Sequence, residues 1–341
     1  MLRILHGTNY DFIRPWRLAV GITVAFILAG FIFLGVHKER YGSALNQSIE
    51  FTGGTLMQVQ FRQAPHVDEI RSTVDAAGYP GSEIQQFGSP REFTVRAAGH
   101  TLASNVGVEQ TARQIQTALE QKFGAQNLTV VRSEIVGARV GAELTRDALI
   151  AILISLVVTL LYLAFRFEWR FGVAAVIATA HDLLSTLAFL AIMRLEVSLT
   201  VVAALLTVIG YSLNDTIIIF DRVREDLKTR RSESLYQVLN RAINETLPRS
   251  VLTHFTVAAA TLSLLLFGPE VIRPFSWIML FGVVTGTFSS VYIAGPVLLW
   301  IERRWPRENS ARPGAPRTAP PVAPARPTSA RPPVAAQTRT R

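Results

Sequence analysis

A carboxylate inside a long apolar run is the first feature of this chain that points to chemistry. The run Val197–Phe220 contains Tyr211-Ser212-Leu213-Asn214-Asp215-Thr216, and the apolar turn Ile217–Phe220 follows. A charged aspartate at that depth in hydrocarbon is expensive unless it is paired, neutral or hydrated. Burial favours its neutral form and a neighbouring cation favours its charged form, so such a group is suited to taking up and releasing a proton. Asn214 stands beside it. The next apolar run, Val251–Phe267, is preceded by Pro248-Arg249-Ser250 and carries Thr253, His254 and Thr256. Arg249 shares a helix face with Thr253 and Thr256. It is either the partner of Asp215 or a topology-setting cation that snorkels to the membrane surface. His181-Asp182 stands halfway along Phe171–Met193. Adjacent helical residues point about 100° apart and form no chelate by themselves. They are expected to line a hydrated path or to make a polar helix–helix contact.

Other chemistries are poorly represented. There is no cysteine, which removes disulfides, thiol catalysis and Cys-based metal sites. No GxSxG, HExxH or phosphate-cradling glycine loop stands in a suitable context, and Gly53-Gly54 is too short for a nucleotide fingerprint. The expectation is therefore no catalytic set, no cofactor and no metal. An intramembrane enzyme built on His181 and Asp182 would lack a nucleophile.

These residues need elements to hold them. The chain has 341 residues, 49% hydrophobic and 17% charged, which favours a membrane class. Six stretches are long enough to cross hydrocarbon, which takes about 20 residues each. They are Leu18–Val36, Ala148–Phe165, Phe171–Met193, Val197–Phe220, Val251–Phe267 and Ser276–Ile301. The first is too long, and too poor in small residues after it, for a cleaved signal peptide. Gly282 and Gly286 give the last a GxxxG pattern for close helix packing. Basic residues concentrate in alternate connections: Arg3, Arg14 and Arg17; Arg166 and Arg170; Arg222, Arg224, Lys228, Arg230, Arg231 and Arg241; Arg303, Arg304 and Arg307. By the positive-inside rule both termini are cytosolic. The net charge of +9 fits contact with membrane lipids better than nucleic acid, because it sits in these loops and in the tail.

The domain plan that follows is a cytosolic segment 1–17, a first span 18–36, an exported domain 37–140, and five further spans within 141–305. These enclose a cytosolic loop 221–248, and a basic, Pro-rich, disordered tail 306–341 completes the chain. Within that loop, Leu235, Val238, Leu239, Ala242 and Ile243 form one apolar face of a helix lying on the membrane or against the bundle. In the exported segment, strands are expected at Leu56–Phe61, Glu83–Phe87, Phe93–Ala97 and Leu128–Val136. Helices are expected at Val67–Ala77 and Val108–Phe123. The order β-α-β-β-α-β predicts a ferredoxin-like α/β sandwich.

The motifs resemble those of the SecD/SecF family. Leu45-Asn46-Gln47-Ser48-Ile49-Glu50-Phe51-Thr52-Gly53-Gly54-Thr55 is similar to the element that opens the family's exported domain. Val136-Gly137-Ala138-Arg139-Val140-Gly141-Ala142-Glu143-Leu144 is similar to the element before its second helix. Tyr211–Arg222 is similar to the fourth-helix signature of SecF. Phe51, Gly53, Gly54, Gly141 and Glu143 carry the first two motifs. Glu50 departs from the usual Asp, Ser48 from Gly and Ala138 from Pro. One exported domain of this size favours SecF over SecD. The resemblance implies a half of an RND-type helix bundle that pairs with SecD, associates with the SecY translocon complex and acts on an unfolded translocating polypeptide. It implies use of the proton-motive force in the bacterial cytoplasmic membrane to assist late export, with Asp215, Arg249 and Asn214 as proton-coupling residues. The alternative is an RND-type proton-driven exporter of lipids or small molecules.

Overall fold

The computed structural model describes residues 8–97, 105–230 and 232–306. In chain order the first elements are α1 (Trp16–Tyr41), β1 (Asn46–Gln47), α2 (Ile49–Thr52), β2 (Gly54–Phe61), α3 (Val67–Ala76), β3 (Glu83–Gln86), β4 (Glu92–Ala97), α4 (Asn105–Phe123) and β5 (Leu128–Val136). There follow α5 (Ala138–Arg166), α6 (Trp169–Met193), β6 (Glu196–Val197), α7 (Leu199–Thr229), α8 (Leu235–Phe267), α9 (Arg273–Ser289) and α10 (Gly295–Arg304). A π-helical turn, Ser290–Ala294, joins α9 to α10. Among the described residues, six helices are long and apolar enough to cross a membrane: α1, α5, α6, α7, α8 and the Glu270–Arg304 segment containing α9 and α10. The chain is a helical membrane protein.

Small residues decide which helices lie inside the bundle. A Cβ on Gly282 would come within 2.3 Å of Val208 Cγ2, and one on Gly286 within 3.2 Å of Ser212 Cα, so α9 lies close against α7. A Cβ on Gly30 would meet that of Ala188 at 2.3 Å, which brings α1 onto α6. Without a hydrophobic drive between helices in lipid, such backbone approach supplies the van der Waals contact that holds them. Phe171, Phe220, Val223, Leu239, Ala242 and Leu298 fill the core nearest one end. By contrast α1 and α5 leave most of their apolar surface exposed, as spans facing lipid or a partner do.

The spans are longer than hydropathy predicts. Segment 221–248, read as a loop, is mostly helix. The end of α7 carries Arg222–Glu225 and Arg222–Asp226 ion pairs at helical spacing. A capping box of Ser234 and Gln237 then starts α8. The apolar face at Val238, Leu239, Ala242 and Ile243 is buried in the bundle core rather than laid on a membrane surface. It continues through Pro248 into the span as one helix. The tail from residue 307, Arg3 and Arg231 lie outside the described residues.

Between α1 and α5 a four-stranded antiparallel sheet has the order β3-β4-β2-β5. One face is apolar because period-two alternation puts Met57, Val59 and Phe61 of β2 beside Phe93, Val95 and Ala97 of β4. Ile70 and Val74 of α3 and Ile115 and Leu119 of α4 cover that face; each is one turn from its mate. Each such side chain contributes roughly 1.5–3 kcal/mol on full burial. A second sheet pairs β1 with β6 in parallel, Asn46 opposite Glu196 and Gln47 opposite Val197. It attaches the sheet region to the turn between α6 and α7.

Candidate functional site

Asp215 is buried in the bundle, 2% exposed. Its Oδ2 lies 3.3 Å from Nε2 of His254 on α8. His254 is itself buried, with Nδ1 2.7 Å from Oγ1 of Thr287 on α9. The ring of Tyr211 packs against the imidazole at 5.3 Å between centroids. The Ser250 hydroxyl faces the same carboxylate. Three helices thus meet around the Asp215–His254 pair.

The expected Asp215–Arg249 ion pair is replaced by Asp215–His254. Helix geometry gives the reason. Ser250 and His254 are one turn apart and share a face, whereas Arg249 and His254 are five residues apart and diverge by about 140°. With the first face turned to α7, Arg249 is exposed and lines a cavity with Arg166, Asp221, Arg222 and Arg224. Asn214 is also exposed.

A second polar centre lies beside the first. Asp182, 1% exposed, accepts hydrogen bonds at Oδ2 from Ser289 Oγ at 2.6 Å and from Ser212 Oγ. Its Oδ1 lies 3.1 Å from His181 Nδ1. Of the two sequence expectations for His181 and Asp182, the contact between helices describes Asp182, which ties α6 to α7 and α9. Ser212 and Asp215 sit on one helix, and Thr287 and Ser289 on another, so the same two helices build both centres. His254 has no role among the sequence expectations; its one-turn spacing from Ser250 is the available signal. The Ser289–Asp182 bond follows from the GxxxG contact, which is legible only as a pattern.

The junction with the sheet region is equally specific. Gly53 has φ +70°, and a Cβ there would lie 2.8 Å from Ala138 Cα. A Cβ on Gly141 would lie 2.8 Å from the Phe51 carbonyl oxygen. Phe51, Gly53, Gly54 and Gly141 are therefore brought together where β2 and α5 start. Glu143 is not; it is exposed and accepts from Arg139 at 3.1 Å. Glu50 reaches α7, and the Ser48 N–H donates to the Val197 carbonyl at 2.9 Å. Arg96 of β4 holds Glu196 at 2.5 Å and Glu83 at 3.1 Å. Burial pushes the Glu196 carboxyl above its usual range, and Arg96 opposes that rise.

Known proteins resemble this chain in sequence and fold. The pattern described as protein export membrane protein SecD/SecF, C-terminal, matches residues 114–304, and the SecD/SecF GG motif matches residues 43–65. The protein translocase subunit SecF of Gemmatimonas aurantiaca is 59% identical over 314 residues, covering 91% of this chain and 92% of its own. The chain belongs to the SecF family. A second SecF, from Desulfurispirillum indicum, is 40% identical, covering 86% of this chain and 92% of its own. The crystal structure of SecDF from Thermus thermophilus, described as translocon-associated, superposes with TM-score 0.76 at 33% identity, covering 89% of this SecF chain. This chain spans 40% of the length of that SecDF protein. In SecF terms, the GG motif is the Gly53–Gly54 junction, and the C-terminal pattern holds Asp182 and Asp215.

Proposed function

We propose that this chain is a SecF-type subunit of the protein translocase that uses the proton-motive force to assist late translocation across the bacterial cytoplasmic membrane. The observation that carries the reading is a buried, titratable Asp215 on the helix whose first turn is held by the sheet region. A change of protonation inside the bundle then has a mechanical route to the domain outside. Asp215 is the coupling carboxylate, and Arg249 is its cationic partner in a second arrangement. Rotation of α8 by about 140° exchanges the face bearing His254 for the one bearing Arg249. Asp182 with His181 belongs to a polar path beside it.

The partners are SecD, the SecY translocon complex and the unfolded translocating polypeptide. Exposed Asn214 in mid-span favours an adjoining helix bundle over lipid, and the 40% coverage of the longer SecDF chain favours a second, SecD-like half. Both termini are cytosolic, and the domain 37–140 is exported. Its β-α-β-β-α-β order and antiparallel β3-β4-β2-β5 sheet support a ferredoxin-like sandwich. Co-purification of SecD and SecY with this chain, together with gradient-stimulated export into inverted membrane vesicles, tests the assignment. Retrieval of an unrelated lipid exporter in their place would refute it.

A further inference from the structure

We propose that the proton held at this centre is shared between Asp215 and His254, with Thr287 fixing the imidazole tautomer, so that His254 is a second proton-carrying group. This rests on the reading of Asp215 as the coupling carboxylate.

The argument begins at Thr287. Its hydroxyl has one proton and two close neighbours, the Val283 carbonyl oxygen at 2.8 Å and His254 Nδ1 at 2.7 Å. A carbonyl has no proton to give, so the hydroxyl donates to Val283. The contact to the ring then needs its proton from the ring, and Nδ1–H donates to Thr287 Oγ1. The other ring nitrogen, Nε2, faces Asp215 Oδ2 at 3.3 Å. With Nδ1 protonated, a neutral imidazole would set a nitrogen lone pair against a carboxylate lone pair, both removed from water. One further proton resolves this, as imidazolium with carboxylate or as imidazole with carboxylic acid. Both forms have no net charge, the state least penalised in a hydrocarbon surround. Loss of that proton leaves neutral imidazole, carboxylate and one net negative charge. That charge is what calls for a guanidinium, and Arg249 stands on the same helix.

The surroundings add few competitors. On α7 the titratable neighbour is Tyr211; on α8 it is Arg249, which already acts electrostatically on Asp215. The nearest α9 contributions are the hydroxyls of Thr287 and Ser289. On α6, Asp182 and His181 lie behind Ser212, and Asp182 is engaged by hydroxyls. A nitrogen facing the carboxylate also bears on ion choice. Hard cations take oxygen donors, whereas an imidazole–carboxylate pair takes a proton.

Histidine-selective 15N spectroscopy of the full chain in bilayers reads the tautomer directly. Nδ1 should remain protonated across the pH range while Nε2 loses its proton together with the Asp215 carboxyl, followed by its carbonyl infrared band. His254→Gln should move that carboxyl transition by about one pH unit or more. An Nε2-protonated, Nδ1-bare ring at all pH overturns the proposal, as does an unmoved transition in normally assembled His254→Gln protein. Asp215→Asn separates the two readings. Full gradient-driven export by that variant removes the coupling role itself; loss of export alongside an unmoved His254→Gln transition removes only the shared proton.

Discussion

Glu50 Oε2 accepts a hydrogen bond from the backbone N–H of Leu199 at 2.6 Å, across 149 residues of chain. Leu199 is the first residue of α7, so Glu50 satisfies one of the donors that a helix start leaves open and places negative charge at the positive end of its dipole. The same helix carries Asp215. Arg96, reaching from the sheet to Glu196, reinforces the contact. Glu50 therefore joins the sheet region to the helix of the buried carboxylate.

Proton coupling predicts a clear split between variants. Asp215→Asn preserves size and removes titration; it should accumulate normally and lose gradient-stimulated export in vesicles. Arg249→Lys keeps the charge without the planar fork and should impair stimulation as well. Undiminished stimulation by Asp215→Asn at normal protein level would remove Asp215 from the mechanism.

The Glu196 carboxyl makes the junction respond to pH. Its value is raised on folding, so the protonated form favours the folded junction. That contribution is full below the unfolded value and is lost as pH rises through the raised folded value. Acidification from neutral toward 4.5 should thus tighten amide protection of Leu199 and Val201 relative to a Glu196→Gln protein, in which that increment is absent. Equal pH dependence of exchange in the two proteins would count against it.

Gly53→Ala should destabilise the junction by about 1–3 kcal/mol, from a left-handed φ and overlap with the Ala138 backbone. A lowered thermal midpoint of the full chain in detergent is the expected result. An unchanged midpoint would mean that the junction relaxes freely.

Topology is open to reporter fusions. Fusions near Gly107 and Lys228 should report opposite sides of the membrane, the first outside. Agreement between them would overturn the orientation.

The absence of cysteine in the chain allows a clean probe of pairing. Asn214→Cys should crosslink to a SecD helix in membranes, because this exposed mid-span amide needs a polar or protein neighbour. Labelling by a lipid-soluble maleimide with no crosslink would place it against lipid.

The sequence by itself determined the six spans, the strand and helix order of the region between α1 and α5, and the buried depth of Asp215. Each depends on local quantities: apolar length, period-two and 3.6-residue spacing, and one carboxylate ahead of an apolar turn. It also marked Gly282 and Gly286 as packing residues. Tertiary structure decided the partners. Arg249 and His254 are both near Asp215 in the chain pattern, and only the rotation of α8 about its axis selects His254. Hydropathy ended the fourth span at Phe220 because charge begins there, yet ion pairs along α7 carry the helix to Thr229. The bond from Glu50 to Leu199 and the Ser289–Asp182 contact join residues 149 and 107 positions apart. No local pattern encodes such pairs, because they exist only once the glycine contacts have set the distances between helices.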